Sequence, residues 1–588
     1  MNNHLLASKW SLFVSDNIPR DYPKDMTSLT SELTLDDGGV VKSVDVEFSN
    51  HRLDICKVIG RNLPVESRVL LVGSIECDED CEVILGAGAD WWWTAWVNGK
   101  MVFDRSKETN GRNGNFYATY TWVDWLFPIS LHKGTNLLAF IIEAGQQCVI
   151  GLDFFDKDRF PGFYSPMTIT PETLSGYLLK GNTTRDPVSY RVGEDIEFIF
   201  ELRDSRALRD EGLYLKLFAL GDDGNLKTDI VPISERNPVS FVTSLSRPGF
   251  VHVTATLCNI AGETAGHDLT LLNKGWRFEG GAGADIDKIR PAAEEPEDFV
   301  EYWTKQKEEL AKIPVRADVE PYIGSVFPNG TEILPEVDIF LVRVDCLGPR
   351  PVTGFLSVPK AEGKYPAKVV FCGYGGLVPP TMAHTAQSSD TISLLINAHG
   401  YELHRGLKYY EDFRDSVTTK NPNYAFSEEE NSDPNTAYFR GMVLRVLRAI
   451  DFIKTLPKWN GKSITACGGS QGGLQAIWAA GLHPDITRCE SSITWCCNFA
   501  GHKLDNRIPS WGPKYVPGLN YFDPVFHAAH IPEKCFVDIP RAGLGDYICP
   551  PSGVTAMYNQ IKCPKCIAYF QNSTHPFVPS EATISRRR

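Results

Sequence analysis

No run of this chain stays apolar for the 18 or so residues of a membrane-spanning helix, and its charge does not lean basic. Lysine and arginine number 59 against 73 aspartates and glutamates, a net charge of −14. That shortage of positive charge argues against nucleic acid or an anionic membrane as the main partner, because both are gripped through basic surfaces. A neutral substrate such as a sugar meets no such barrier. The opening stretch, MNNHLLASKW, lacks a basic n-region and a long apolar h-region, so no signal peptide is expected. The chain as given is expected in the cytoplasm, or in the periplasm or medium where a leader has been removed. A second cysteine pair is missing near CPKC, so Cys563 and Cys566, although spaced like two zinc ligands, are expected to be ordinary thiols, with no metal and no cofactor. The cysteine count of 15 is odd, and Cys346, Cys372 and Cys467 stand in apolar runs where a thiol packs as a small hydrophobe. A Cys77–Cys81 disulfide, which would imply export, is left open.

What is present is ordinary globular material: 588 residues, 43% hydrophobic and 22% charged. That length is too great for one core and suggests about three domains. Up to residue 167 the pattern is short alternating strands and turns, as in SRVLLVGSIECDEDCEVILGAG and WWWTAWVNGKMVFDR, the latter with an Asn-Gly hairpin signal. A β-sandwich is expected over 1–167. Aromatic faces stack on sugar rings, so Trp91, Trp92 and Trp93 are candidates for a weak substrate contact, although large aromatics in strands also fill cores. WVNGKMVFD followed by LHKGTNLLAF resembles the galactose-binding-like jelly rolls appended to many polysaccharide-degrading enzymes. Period-two runs such as GEDIEFIFELRD continue over 168–275, where an immunoglobulin-like sandwich is expected. The Gly, Pro and acid-rich FEGGAGADIDKIRPAAEEPEDF reads as a connector. Beyond it strands alternate with helices, beginning with a helix that sets Phe299, Trp303, Gln306 and Leu310 on one face. Residues 276–588 are therefore expected to form an α/β domain with a mostly parallel sheet.

Within that domain SITACGGSQGG is a predicted strand running into Gly-x-Ser-x-Gly and then a predicted helix. A nucleophile elbow needs this context: Ser470 sits at a sharp turn, and glycines on both sides make room for the backbone. A serine hydroxyl is a weak nucleophile without a base and an orienting acid, and in α/β-hydrolases these follow the serine as acid, then histidine. Asp546, at the end of CFVDIPRAGLGD, and His575, in the loop after CIAYFQN, meet that order. Asp538 lies inside its strand. His483 follows the nucleophile helix closely, and His502, His527 and His530 precede the acid. Acyl transfer also needs N–H donors for the oxyanion. Gln471, next after the serine, and Tyr374, between glycines in VVFCGYGG, are the candidates.

YFRGMVLRVLRAIDFI, GGSQGG, CGYGG, YFDPVFHAAHI and GLGDYICPPSGVTAMYN together resemble the acetyl xylan esterase and cephalosporin C deacetylase family, carbohydrate esterase family seven, over about 300 residues at the C-terminal end. The resemblance implies an α/β-hydrolase fold, a triad of Ser470, Asp546 and His575, oxyanion donors at Gln471 and Tyr374, and removal of O-acetyl groups from poly- or oligosaccharides, xylan-type first, without a metal or cofactor. Two stretches depart from the family pattern. NAHGYELHRGLKYYEDF stands where Arg-Gly-Gln-Gly is usual, and the last histidine is flanked by Thr574 and Pro576 rather than preceded by glycine. The alternatives carried forward are a deacetylase of small non-sugar esters, a serine peptidase, and a silent hydrolase domain on a sugar-binding protein. Oligomeric state is left open.

Overall fold

A computed structural model of the chain describes residues 10–106, 120–145, 148–156, 168–204, 212–233, 237–265, 270–327, 329–375 and 382–588. The molecule is multidomain. Its apolar side chains gather into three principal cores in chain order, each between its own sheets or between sheet and helices.

The first core draws on two sheets. One runs Val44–Val46, Trp10–Val14, Arg68–Cys77, Gly134–Ala144, Trp91–Val97, Lys100–Asp104; the other runs Trp125–Leu131, Cys81–Ala89, Val149–Asp156, Arg52–Asp54. Their pairings are antiparallel. The Asn-Gly signal makes its turn: Asn98 and Gly99 both adopt positive φ, 48° and 76°, between Trp91–Val97 and Lys100–Asp104, as a tight hairpin requires. Cys77 and Cys81, at the earlier turn between Arg68–Cys77 and Cys81–Ala89, are free thiols.

The middle core lies among a three-stranded sheet, Tyr177–Thr183, Ile196–Asp204, Val239–Thr243, and a four-stranded one, Leu226–Pro232, Tyr214–Gly221, Gly249–Cys258, Arg277–Ala284. The last of these strands lies beyond the division expected at 275/276. Although its RFEGGAGA reads as connector, it pairs antiparallel with Gly249–Cys258. A smaller cluster including Ile84, Trp122, Phe155, Ile230 and Cys258 joins the first and middle units.

The C-terminal unit is built on a ten-stranded sheet. In chain order its strands are β1 (Ala317–Pro321), β2 (Val337–Val344), β3 (Val352–Pro359), β4 (Tyr365–Phe371), β5 (Ile392–Ile396), β6 (Trp459–Gly469), β7 (Ile486–Ser492), β8 (Phe536–Gly543), β9 (Lys565–Phe570) and β10 (Ile584–Arg587). In space the order is β1-β2-β3-β5-β4-β6-β7-β8-β9-β10. The centre, from β5 through β9, is parallel. The flanks β1-β2-β3-β5 and β9-β10 are antiparallel, so the sheet is mixed. Helices α1 (Phe299–Ala311), α2 (Tyr438–Thr455), α3 (Gln471–Leu482), α4 (Pro524–Ala529) and α5 (Pro551–Gln560) share its core. On α1 the buried side chains are Phe299, Tyr302, Trp303, Gln306 and Leu310, the face set by the three-to-four spacing. Helix α2 is buried almost all round and carries two arginines inward. Arg445 donates twice to the Ala398 carbonyl, and one nitrogen of Arg448 donates to those of Leu310 and Ile313, which offsets part of the cost of burying the two charges.

Candidate active site

Ser470 stands where β6 hands over to α3, at φ 57° and ψ −121°. A non-glycine residue there carries about 1–3 kcal/mol of strain, and the surroundings hold it in place. Its N–H donates to the Ser492 carbonyl at 3.0 Å, and its own carbonyl accepts from Leu474 at 3.0 Å and Trp495 at 3.2 Å. The flanking glycines have a steric reason. A Cβ on Gly468 would lie 2.5 Å from the Gly472 carbonyl carbon, and one on Gly472 would lie 2.3 Å from the Phe371 carbonyl oxygen. Only bare backbone lets the turn pass so close to β4.

Asp546 and His575 sit on the loops that follow β8 and β9, and they meet: His575 Nδ1 is 2.9 Å from Asp546 Oδ2. The Asp546 side chain is fully buried while the imidazole is about 20% exposed. The other carboxylate oxygen accepts from the N–H groups of Ile548 at 3.1 Å and Cys549 at 2.9 Å. One oxygen is therefore anchored to its own loop and the other is aimed at the ring, which fixes the orientation of the imidazole. Arg541 donates to the His575 carbonyl at 2.9 Å and ties the histidine loop to β8.

Cys549, which sequence reasoning did not single out, belongs to the same cluster. Its thiol lies close to the Ser470 side chain, and its Sγ and the Asp546 and His575 ligand atoms all lie within 4.8 Å of one another. Those three could span a metal ion. However, the aspartate already holds the histidine and two N–H groups, and burial together with the Asp546 charge keeps the thiol well above its ordinary pKa. In that protonated state Cys549 is neither a ready ligand nor a nucleophile. The signal for it was the CPP that follows Gly-Asp-Tyr-Ile.

On the opposite flank, Gln471 opens α3, so its N–H has no intrahelical acceptor and lies at the positive end of the helix dipole. Its side chain reaches the loop after β4. Nε2 donates to the Gly373 carbonyl at 3.3 Å, and Oε1 accepts from the Tyr424 hydroxyl at 2.8 Å. That hydroxyl also accepts from the Gly375 N–H at 3.0 Å. His399 continues the network, with Nε2 3.1 Å from the Gly375 carbonyl and Nδ1 2.8 Å from the Tyr438 hydroxyl. Burial pushes the His399 imidazole down to about 3, so it is neutral. Tyr374 and Gln471 are thus drawn to one place beside Ser470. The Tyr374 ring stacks on Tyr424 at 4.1 Å and meets Trp511 and Trp495 edge-on at 4.8 and 5.1 Å. This aromatic wall was not expected from the sequence; its tryptophans lie in the irregular segment after β7.

The competing histidines and Asp538 are engaged elsewhere. His527 faces the Tyr521 carbonyl at 2.9 Å, His530 the Glu295 carboxylate at 2.9 Å, His502 the Arg507 carbonyl at 2.8 Å and His483 the Asp451 carboxylate at 3.4 Å. Asp538 takes Arg488 at 3.1 Å and the Cys566 thiol at 3.1 Å. Trp91, Trp92 and Trp93 belong to the first unit. Trp93 is 1% exposed, stacked on Phe103 at 4.8 Å, and Trp92 is 7% exposed, so neither ring has an open face for a sugar; Trp91 is half-buried.

Comparison with known proteins matches the acetyl xylan esterase (AXE1) family model to residues 284–506 and 513–585. The chain is 27% identical over 300 residues to the acetyl esterase Axe7A of Xylanibacter ruminicola, a match that covers 48% of this chain and 64% of that protein. Among solved structures it is similar to an acetyl xylan esterase from Paenibacillus sp. R4, with 22% identity, a TM-score of 0.40, and coverage of 50% of this chain and 94% of that one. It is also similar to acetyl xylan esterase 1 from Thermoanaerobacterium sp. JW/SL YS485, with 19% identity, a TM-score of 0.41, and coverage of 50% and 93%.

Proposed function

Because the chain belongs to the acetyl xylan esterase family, we propose that it is a serine carbohydrate esterase that removes O-acetyl groups from acetylated poly- or oligosaccharides, xylan-type first. The observation that carries this reading is the 2.9 Å Asp546–His575 pair beside a serine held at positive φ in an elbow. His575 takes the Ser470 proton as the hydroxyl oxygen attacks the acetyl carbonyl. The N–H groups of Gln471 and Tyr374 hold the oxyanion of the tetrahedral intermediate. The intermediate collapses with loss of the sugar alkoxide, which leaves with the proton from His575, and acetyl-Ser470 remains. Water, deprotonated by His575, then attacks the acyl-enzyme and frees acetate. Asp546 orients the imidazole and stabilises its charged form. Trp511, half-buried beside Tyr374 while Trp495 behind it is fully buried, offers aromatic surface against which a pyranose ring can stack.

The finer architecture belongs to the same proposal: two β-sandwiches, galactose-binding-like and then immunoglobulin-like, precede an α/β-hydrolase. The second sandwich ends near residue 284, where the family match begins. The test is acetate release from a panel of acetylated xylo-, manno- and pectic oligosaccharides, with Ser470→Ala beside wild type. Release that vanishes in the variant is expected. A folded wild-type protein that releases no acetate from any of them would overturn the reading.

A further inference from the structure

The Asp546 and His575 loops turn their backs to the middle unit, and the contact is made by Arg277–Ala284. Gln571, four residues before His575, uses its side-chain amide as a neighbouring strand would use its backbone. Oε1 accepts from the Gly281 N–H at 3.0 Å, and Nε2 donates to the Gly281 carbonyl at 2.9 Å. Asn572 Oδ1 accepts from the Glu279 N–H at 2.9 Å. Tyr547, which follows the acid, stacks on His252 at 3.9 Å, and His252 Nε2 lies 2.8 Å from Glu279 Oε1. Arg277 reaches the other Glu279 oxygen at 3.1 Å, so a fully buried carboxylate is paired on both sides beneath the acid loop.

Two of the three glycines of RFEGGAGA, Gly280 and Gly281, face this seam. A Cβ on Gly280 would fall 2.1 Å from Gln571 Oε1, one on Gly281 2.9 Å from the Leu544 carbonyl oxygen, and one on Gly545, across the seam, 2.2 Å from the Glu279 carbonyl oxygen. Phe250 of the adjoining strand packs into the C-terminal core. A stretch that reads as flexible linker is a close-fitting floor.

We infer that the strand Arg277–Ala284 of the middle unit, through Gln571, is a positioning element for the Asp546–His575 pair, so that the middle unit serves catalysis in cis. This rests on the serine hydrolase reading above. Asp546 and His575 are fixed by loop backbones whose other faces contact this strand, and a shift of about 1 Å in a reacting group can cost about 10²-fold in rate.

The test uses the full chain and approaches the contact from both sides. Gln571→Met keeps the side-chain length and removes both hydrogen bonds. Gly280→Ala changes no residue of the C-terminal unit and pushes the end of the Gln571 side chain off the strand, while also pressing on the Phe278 ring. The readouts are the rate at which a fluorophosphonate labels Ser470, which needs the triad and no particular ester, and kcat and KM for acetate release. Each variant is expected to label about 10- to 100-fold more slowly, with kcat lowered, KM within about twofold and the protein, though less stable, still fully folded at the assay temperature by circular dichroism. The double variant is expected to be no slower than the worse single one, since both act through one contact. Rates within twofold of wild type in both single variants would overturn the proposal, as would effects that multiply in the double variant. Wild type that labels normally but releases no acetate sinks the acetylesterase reading alone, and the labelling rates still decide this one. Wild type that does not label overturns both.

Discussion

Ser470 and Gln471 are held from within the C-terminal unit, whereas Asp546 and His575 ride on loops whose far sides touch another unit. On the nucleophile flank every support lies within about a hundred residues of the serine: the Ser492 carbonyl, Tyr424, His399 and Tyr438. On the acid and base flank the supports include Gly281, Glu279 and His252, nearly three hundred residues away in the chain. The first flank is a turn with its own hydrogen-bond network and can be correct as soon as its sheet forms. The second is correct only when two units have docked. Their sensitivity to change should differ accordingly.

The largest effects come from the reacting groups and should be unequal across the two flanks. Ser470→Ala is expected to lower kcat by about 10⁶, and Asp546→Asn by about 10⁴ because the amide favours the wrong imidazole tautomer while leaving the geometry in place. Steady-state acetate release with active-site titration measures both. An Asp546→Asn variant within tenfold of wild type would mean that the carboxylate does not orient the base, and the comparison of flanks would lose its second member. Smaller, and confined to the nucleophile flank, is Tyr424→Phe. It deletes a hydroxyl that accepts from Gly375 and donates to Gln471, leaving two buried polar groups unpaired next to the expected oxyanion donors. We expect kcat to fall about 10- to 100-fold with KM little changed. Tyr374→Phe, which loses only a bond to the Tyr424 carbonyl, should stay within about threefold.

The two flanks also differ in how far the sequence disclosed them. The elbow is a contiguous word: a β-branched strand, glycines spaced for a close approach and an apolar helix all fall within GKSITACGGSQGGLQAIWAA, so local physics suffices to point at Ser470. Asp546 and His575 are proposed from chain order and strand ends, which say where a loop begins but not what stands behind it. The floor strand RFEGGAGA was hidden because its glycines answer to a partner distant in sequence, and glycine without that partner reads as linker. Strand β7, ITRCESS, was missed for a related reason. Flanked by β6 and β8 at the centre of the sheet, it buries Ile486, Cys489 and Ser491 but is otherwise polar, so neither an apolar run nor clean alternation marks it. Cys549 and the aromatic wall of Trp495 and Trp511 stand in segments whose only pattern is their position in space.

Acid should sharpen the comparison by the smallest and most local effect. His384, His399 and His527 are buried against carbonyl oxygens, and burial pushes them down to about 4, 3 and 3. All three belong to the nucleophile flank: His399 touches the loop of Tyr374, His384 bonds the carbonyl of Ser393 on β5, and His527 packs against Trp478 of α3. Each is neutral when folded and takes a proton when unfolded below about pH 6.5, so each contributes stability that is present above that pH and lost as it falls. Asp523 works the other way. Burial raises it to about 7, so its folded form holds a proton that the unfolded chain lacks down to about pH 4, which favours the fold as acid is added. Three protons taken up on unfolding against one released leave a net uptake, so these groups together make the fold less stable as the pH falls below about 6. Hydrogen exchange at pH 7 and pH 5 should therefore show amides in 372–375 and 424–438 loosening before those in 544–549, whose neighbour His252 faces the Glu279 carboxylate. Equal loosening on both flanks, or loosening that starts at the seam, would show that the supports of Ser470 are not the more acid-sensitive pair.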